Sequence, residues 1–240
     1  SEDEVLERIR RALERVEDEH RKVLEKIVED LKDVLEKHKR VLEEAKRDLE
    51  RIKEDADKGV PIEELIDKLR RLLEKLIERV RRITELLKRI IEEVARMLKE
   101  ITDELRRIAE EVVKDTPEDE RLKEVRRELE ELLKENDKLI KDLVKEAEDL
   151  LDEDRKLISK VLRDLERLIE DLRDRLRDSD EKSLKDLLRE VLERSKKLLE
   201  EHHKHLEEIV RRTKELLERH HRHLKEIIRR IEEILKRERD

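Results

Sequence analysis

An 18-residue repeat is the feature of this chain that most constrains its fold. The segment 202–206 reads His-His-Lys-His-Leu, and it returns at 220–224 as His-His-Arg-His-Leu. Eighteen residues make about five α-helical turns, so a side chain and its repeat mate point the same way from a straight helix, about 27 Å apart. A heptad repeat imposes a left-handed supercoil and a repeat of about 11 residues a right-handed one, whereas this repeat requires neither. The chain is therefore predicted to form straight helical rods.

The composition restricts the fold to helices. Of the 240 residues 57% are charged, whereas Gly occurs once, Pro twice, and Phe, Trp, Tyr and Cys do not occur. Turns and strand cores draw on Gly, Pro and aromatic residues, while Leu, Glu, Lys and Arg favour helices. We therefore expect an all-α protein. Without cysteine the chain has no disulfide framework, no thiolate metal ligand and no cysteine nucleophile.

The only Gly and both Pro residues lie at predicted helix junctions. Gly59 ends one periodic stretch and Pro61 opens the next, which is the usual asymmetry of helix ends. Thr116 is the predicted N-cap before Pro117, and a third junction at 177–180 concentrates capping residues. These junctions predict four helices, at residues 2–57, 61–114, 117–178 and 181–238.

Each predicted helix carries an apolar stripe on one face. In the first helix, for example, Ile9, Val16, Ile27 and Val34 follow one another at spacings close to whole numbers of turns. Four such stripes turned inward form one long core, whereas an isolated helix would leave its stripe in water. Short connections make neighbouring helices antiparallel. We therefore predict that residues 1–240 form a single monomeric domain, a straight antiparallel up-down-up-down four-helix bundle.

Polar residues interrupt the stripes in pairs that are again 18 residues apart, with one pair on each helix. In an antiparallel bundle, residues of the first and fourth helices lie level when their numbers sum to about 240, which matches His20 with His220 and His38 with His202. This registration predicts two buried polar layers. One contains His20, Thr102, Asn136 and His220, flanked by His221 and His223; the other contains His38, Thr84, Asp154 and His202, flanked by His203 and His205.

Over all 240 residues the chain resembles de novo parametrically designed helical bundles. The resemblance rests on the 18-residue repeat, the missing aromatic residues and the Glu, Lys and Arg surfaces, and on no catalytic motif. It implies a synthetic protein with no targeting signal and no natural activity, and buried hydrogen-bond networks at chosen layers. Buried polar groups are tolerated when fully paired, and they penalise wrong helix registers. The predicted function is a structural scaffold whose polar layers specify helix pairing.

Two other uses of the layers remain open at this stage. His38, Asp154 and His202 form a possible two-histidine, one-carboxylate site for zinc or a similar metal. The equivalent of Asp154 in the other layer is Asn136, a poor ligand, and we therefore expect no metal site. Histidine has an ordinary pKa near 6.5, so a buried neutral layer must take up protons as the pH falls, and a pH-responsive bundle is the second alternative.

The sequence argues against most other functions. It offers no nucleophile beside a base and no Gly-rich phosphate loop, so we expect no enzyme activity. Its 64 basic and 72 acidic side chains alternate, so no basic patch for nucleic acid accumulates. No apolar stretch approaches the ~20 residues of a membrane span, which predicts a soluble protein. Haem ligation by His20 with His220 or by His38 with His202 lacks space beside large aliphatic residues, so no cofactor is expected. No partner is required, although the flanking histidines offer a route to self-association.

Overall fold

The computed structural model describes residues 2–115, 119–175 and 180–237, and over these residues it is helical, without strands. The predicted all-α class is therefore confirmed. No helix in the described part of the chain contains a segment that is long and apolar enough to cross a membrane. The helices are α1 Glu2–Asp57, α2 Ile62–Asp115, α3 Glu120–Arg175 and α4 Glu181–Lys236.

The observed starts of α3 and α4 are set by aspartates. The Asp119 carboxylate accepts a hydrogen bond from the backbone N–H of Arg121 at 2.9 Å, and the Asp180 carboxylate accepts one from Ser183 at 3.1 Å. An N-cap carboxylate satisfies free amides of the first turn and interacts favourably with the positive end of the helix. Helix α3 thus begins after Asp119 and not at residue 117.

The other helix boundaries also differ slightly from those predicted. Helix α2 begins at Ile62, one residue after Pro61, and α4 ends at Lys236 and not at residue 238. Ends of helices fray and their last hydrogen bonds are shared with the adjoining turn, so shifts of one or two residues are expected. The predicted cap at Thr116, the adjacent Pro117 and the residues 176–179 lie outside the described part of the chain.

The turn between α1 and α2 depends on Gly59. This residue has a φ of 87°, in the left-handed region that favours glycine. Its N–H bonds to the carbonyl of Ala56 at 3.3 Å, and the Val60 N–H bonds to the carbonyl of Asp55 at 3.1 Å. These two bonds form a Schellman motif, which satisfies carbonyls at the end of α1 that have no partner within the helix.

The chain divides into two compact units, and every helix contributes a segment to each. Unit 1 comprises Ser1–Leu31, Arg89–Glu148 and Arg211–Asp240, and unit 2 comprises Lys32–Lys88 and Asp149–Val210. Each polar layer predicted from the sequence falls wholly within one unit, with Asn136 in unit 1 and Asp154 in unit 2.

The core of unit 1 is built from the apolar stripes of all four helices. Its buried residues lie at spacings of three and four, so each helix turns one face inward and leaves charged residues outside. Members of this core are Leu6, Ile9, Leu13, Val16, Ile101, Leu105, Ile108, Ala109, Leu122, Val125, Leu129, Leu132, Leu133, Leu224, Ile227, Ile228, Ile231 and Ile234.

Unit 2 buries the corresponding stripes of the same helices. Among its largest fully buried side chains are Leu49, Leu65, Leu69 and Leu172. Burying a Leu side chain stabilises the folded state by about 1.5–3 kcal/mol, whereas an exposed ion pair contributes about 0–1 kcal/mol. The apolar stripes therefore stabilise each unit, and the many surface ion pairs contribute little.

The Gly59 turn yields a stability prediction. Gly59→Ala should lower the free energy of unfolding by about 1 kcal/mol, because alanine disfavours a positive φ even though a Cβ atom here would meet nothing within 4 Å. Gly59→Asn should restore part of the loss, since asparagine tolerates this conformation. Guanidinium denaturation measures both, with Lys58→Ala as the control. Equal midpoints for Gly59→Ala and the control would contradict the argument.

Candidate functional site

Three histidine rings form a stacked chain in unit 1, here called the His20 network. His20 Nδ1 lies 2.8 Å from His221 Nδ1, and His20 Nε2 lies 2.6 Å from His220 Nδ1. The ring centroids are 5.0 and 4.7 Å apart, and both pairs are stacked. All three residues are buried. One ring from α1 is thereby held between two consecutive rings from α4.

Unit 2 contains the same arrangement, here called the His38 network. His38 Nδ1 lies 2.8 Å from His203 Nδ1, and His38 Nε2 lies 2.8 Å from His202 Nδ1. The local chain explains the likeness, because His20 and His38 are 18 residues apart on α1 and the pairs on α4 are 18 residues apart as well. A straight helix presents such repeat mates on the same face.

The His38 network continues onto two more helices. His202 Nε2 lies 2.8 Å from Asp154 Oδ1 on α3, although neither of these two atoms has a hydrogen-bond partner among the described residues. The Thr84 hydroxyl on α2 donates to Asp154 Oδ2 at 2.9 Å. Asp154 is 0% exposed, so its carboxyl group is removed from water and depends on neighbouring polar groups. The same Thr84 hydroxyl lies 3.2 Å from the carbonyl of Val80 in its own helix.

The His20 network ends differently at the corresponding place. Asn136, the repeat mate of Asp154, is 0% exposed, and neither of its amide atoms has a hydrogen-bond partner among the described residues. Nε2 of His220 is likewise buried without a partner there. Thr102 donates back to the carbonyl of Leu98 at 2.9 Å. The second half of the layer predicted in unit 1 is therefore buried but not joined to the rings by direct hydrogen bonds.

The flanking histidines have separate roles. His203 Nε2 lies 2.8 Å from Glu207 Oε1, one turn further along α4. His223 forms an ion-pair contact with Glu135 on α3. His205 Nε2 is buried without a partner among the described residues. Of the four predicted flanking residues, His203 and His221 thus bond directly to the central rings, and the other two do not.

Burial strongly favours the neutral form of the central rings. It lowers the pKa of His20 from 6.5 to about 3, and the neighbouring His220 and His221 lower it further. The pKa of His38 is also lowered to about 3, first by burial and then by His202 and His203, while Asp154 opposes the shift. A buried imidazolium loses its hydration, and adjacent rings cannot all carry protons without repulsion.

The α4 rings of unit 1 follow the same trend. Burial lowers the pKa of His220 to about 4, assisted by His223 and His221. Burial also lowers the pKa of His221, where Lys225 acts in the same direction and Glu17 opposes it. The His20 network is therefore neutral at physiological pH, with one ring nitrogen of each histidine protonated and the other carrying a lone pair.

The eight residues predicted for the layers are all buried, and direct contacts join six of them in pairs or chains. Direct contacts link His20 with His220 in one layer. In the other they link His38 with His202, His202 with Asp154, and Asp154 with Thr84. The sequence reasoning missed Glu207 and Glu135. The contact between His203 and Glu207 could have been predicted, because residues four apart on one helix lie on the same face.

The described residues contain no group of three His, Cys, Asp or Glu side chains arranged to hold a metal ion. His38, Asp154 and His202, the predicted candidates for such a set, form a line of pairwise contacts and do not converge on one point. Both ring nitrogens of His38 face other histidines, so a metal would have to displace those contacts.

Comparison with known proteins gives no relative. No protein-family model matches the chain, and searches of the curated proteins and of the solved structures found no similar protein.

The central rings should be sensitive to truncation. His20→Ala should lower the free energy of unfolding by about 2–5 kcal/mol, because it leaves a cavity and removes the partner of buried nitrogens on His220 and His221. Chemical denaturation at pH ~7.5 measures the loss, with the exposed Lys22→Ala as the matched control, expected to change it by less than about 0.5 kcal/mol. A similar small change for both variants would show that the ring contacts do not stabilise the fold.

Proposed function

We propose that the protein is a structural helical bundle of designed origin, in which two buried histidine networks determine which helix faces meet and in which register. The observation that carries the proposal is the repetition of one three-ring arrangement in two units, with ring nitrogens 2.6–2.8 Å apart. The rings bond to one another, so they serve the pairing of α1 with α4.

The proposed architecture is the antiparallel, up-down-up-down bundle of straight helices. It is supported by contacts inside each unit. Arg8 near the start of α1 pairs with Glu111 near the end of α2, whereas Asp55 near the end of α1 pairs with Lys68 near the start of α2. Contacts between α1 and α4 also indicate antiparallel helices, because the residue numbers of the contacting pairs rise along α1 as they fall along α4.

Two networks specify register better than one. A slide of α1 along α4 by one turn, about 5.4 Å, would separate every ring pair and leave buried nitrogens without partners. A slide by a full repeat of about 27 Å would bring His38 to the place of His20, but it would leave the second network without its α1 ring. Only one register satisfies both networks, which is how polar layers exclude alternative packings.

The designed origin is supported by the chain itself. The 18-residue repeat extends through all four helices, aromatic residues are missing, and glycine and the prolines are confined to helix junctions. These features match the rules of idealised bundle design, in which element lengths, patterning and caps are chosen together.

If the protein is such a scaffold, the buried polar residues should determine how the helices pair without adding to the free energy of unfolding. Replacing the buried polar residues of α1, α3 and α4 by leucine should leave the chain at least as resistant to guanidinium, because well-packed apolar residues often replace buried polar networks without loss. The same variant should form more than one species in light scattering and give broadened or multiple NMR signals. The substituted residues are His20, His38, Asn136, Asp154, His202 and His220.

Ser195→Ala is the matched control, since Ser195 is buried but its hydroxyl donates to the carbonyl of Val191 in its own helix. It should remain a single species like the unsubstituted protein. If the leucine variant is also a single monomer with unchanged helix contacts, the networks do not determine pairing and the proposal fails.

We also propose an acid response as a second function, on the specific observation that burial lowers the pKa of His20 and His38 to about 3. The unfolded chain binds protons on these rings near pH 6.5, whereas the folded chain resists them. A group with a lowered folded-state pKa of this kind stabilises the fold fully above the unfolded value and loses that contribution as the pH falls towards the folded value.

Stability should therefore fall steeply between pH 7 and pH 3. Between pH 7 and pH 5 the ring of His20 takes up a proton in the unfolded chain but not in the folded chain, and so does the ring of His38. Each of the two rings should therefore lower the free energy of unfolding by about 2 kcal/mol over this range. Guanidinium titrations at intermediate pH values measure the slope. Variants with His20→Leu and His38→Leu control for neutralisation of the acidic surface, and a slope unchanged by these substitutions would contradict the acid response.

A further inference from the structure

Acidic and basic side chains do not alternate on the outer face of α3 in unit 2. This face carries a groove of about 530 Å³, and its lining holds five basic side chains and one carboxylate, that of Asp164. The five basic residues are exposed, and the turns of the helix align them along one side of α3. They are Arg155, Lys156, Lys160, Arg163 and Arg167. Arg155 lies 3.7 Å from Asp152, whereas no ion pair joins the other four to a described residue.

A second groove, of about 310 Å³, extends this basic surface to α2. It shares Arg155 and Ser159 with the first groove, and α2 contributes Arg81, Glu85 and Lys88 to its lining. Together the two grooves present seven basic side chains and two carboxylates, whereas the whole chain has a net charge of −8. This surface, called the basic groove below, therefore concentrates positive charge on a protein that is acidic as a whole.

Unit 1 has an ion pair where the basic groove has two cations. Arg106 Nη2 on α2 lies 2.7 Å from Asp137 Oδ2 on α3. The repeat mates of these two residues in unit 2 are Lys88 and Arg155, which line the same groove. Like charges repel, and an anion that lies between them is attracted by both. The contact that joins α2 to α3 in unit 1 thus has a counterpart in unit 2 that suits a bound anion.

The carboxylates beside the basic groove do not neutralise it. The side chains of Arg155 and Asp152 are 57% and 64% exposed, and an exposed ion pair at 3.7 Å is weak because water and salt screen both charges. Further along α3, Lys160 has Asp142 as its repeat mate, so unit 2 is again positive where unit 1 is negative. The excess of positive charge therefore belongs to the surface as a whole.

The side chains of the basic groove indicate the class of anion. Arginine and lysine bind phosphate oxygens through charge-assisted hydrogen bonds, and the Ser159 hydroxyl adds a donor. From Arg155 to Arg167 the basic residues extend over about 18 Å, which suits several phosphates in a row better than a single one. The chain has no Phe, Trp or Tyr, so the groove offers no aromatic ring on which a nucleic-acid base could stack. These features favour a flexible oligophosphate that is recognised by its charge.

We infer that the basic groove of unit 2 is a binding site for oligophosphate anions. The anion lies between Lys88 and Arg155 and continues along α3 towards Arg167. It replaces the repulsion between two cations by attraction to both, so binding also holds α2 against α3 in this unit. The inference goes beyond the proposed scaffold function and does not depend on the histidine networks.

Calorimetric titration of the full chain with tripolyphosphate tests the inference. At pH ~7.5 and about 50 mM salt we expect one saturable site, and its affinity should fall at least about tenfold at about 200 mM salt, because ion-pair binding releases counterions. Inorganic phosphate, which contacts fewer cations, should bind at least about tenfold more weakly than tripolyphosphate. If tripolyphosphate shows no saturable binding, or if both anions bind equally, the inference is wrong.

NMR of the backbone amides locates the site without any substitution. Tripolyphosphate should shift the amide signals of residues 81–88 and 155–163 and leave those of their repeat mates, residues 99–106 and 137–145, unchanged. Shifts of equal size in both sets would indicate unspecific attraction and would contradict the inference.

A charge reversal with a matched control separates the site from the net charge. Arg155→Asp gives unit 2 the charge pattern of the Arg106 and Asp137 pair, so the protein should stay folded while tripolyphosphate binding weakens at least about tenfold. Lys138→Asp is the control, because Lys138 is exposed in unit 1 and its substitution changes the net charge by the same amount. The control should weaken binding less than about twofold, since a distant exposed charge is screened. Equal losses in the two variants would overturn the inference.

Two competitions distinguish a free oligophosphate from the same phosphate chemistry on other carriers. Tripolyphosphate should displace the protein from vesicles of phosphatidylcholine and phosphatidylinositol bisphosphate. A thymidine oligonucleotide of equal charge should bind no more tightly than tripolyphosphate, because no aromatic ring stacks on its bases. Vesicle binding that tripolyphosphate does not displace would assign the groove to a membrane surface, and tighter binding of the oligonucleotide would assign it to nucleic acid. Either result would contradict the inference.

Discussion

The structure depends on the cost of burying imidazole rings. A ring removed from water must find a donor for one nitrogen and an acceptor for the other, or the fold loses the hydration free energy of that group. In both units this demand is met for the α1 ring, which lies between two consecutive α4 rings and has a partner at each nitrogen. Apolar stripes can slide along one another at modest cost, whereas in the function proposed above the ring contacts allow one register. On that proposal the general stability of the helices and the specificity of their pairing have different sources.

The same arrangement of rings has different neighbours in the two units. Unit 2 surrounds its rings with Asp154 and Glu207, whereas unit 1 has Asn136 and Lys225 at the matching positions. An ionised carboxylate orients the hydrogen bonds of neighbouring rings and stabilises positive charge, whereas an amide does neither strongly. The two networks therefore differ in the polar groups beside them, although their central rings are arranged alike.

Much of the fold and part of the site could be predicted from the sequence. The spacing of apolar residues gives the helices, the glycine and prolines mark the junctions, and matched numbering pairs His20 with His220 and His38 with His202. The start of α3 was placed too early, because the choice among Thr116, Asp119 and their neighbours as the cap depends on where the preceding turn leaves the backbone. The direct bonding of His203 and His221 was also missed, since a helical projection separates residues by angle and cannot show that an opposing ring fits between consecutive side chains.

The sequence by itself determined that the chain is helical, where each helix turns its apolar face, and which polar residues are repeat mates, because these follow from the period of about 3.6 residues per turn and from intrinsic helix preferences. Only the tertiary structure decided which atoms meet. It bonded Thr84 to Asp154, placed Asp154 2.8 Å from His202, and set Glu207 against His203. It left the amide of Asn136 without a hydrogen-bond partner among the described residues. The physical reason is distance. A hydrogen bond or a pKa shift depends on a few tenths of an ångström and on the exclusion of water, and both are set by how four helices pack in three dimensions.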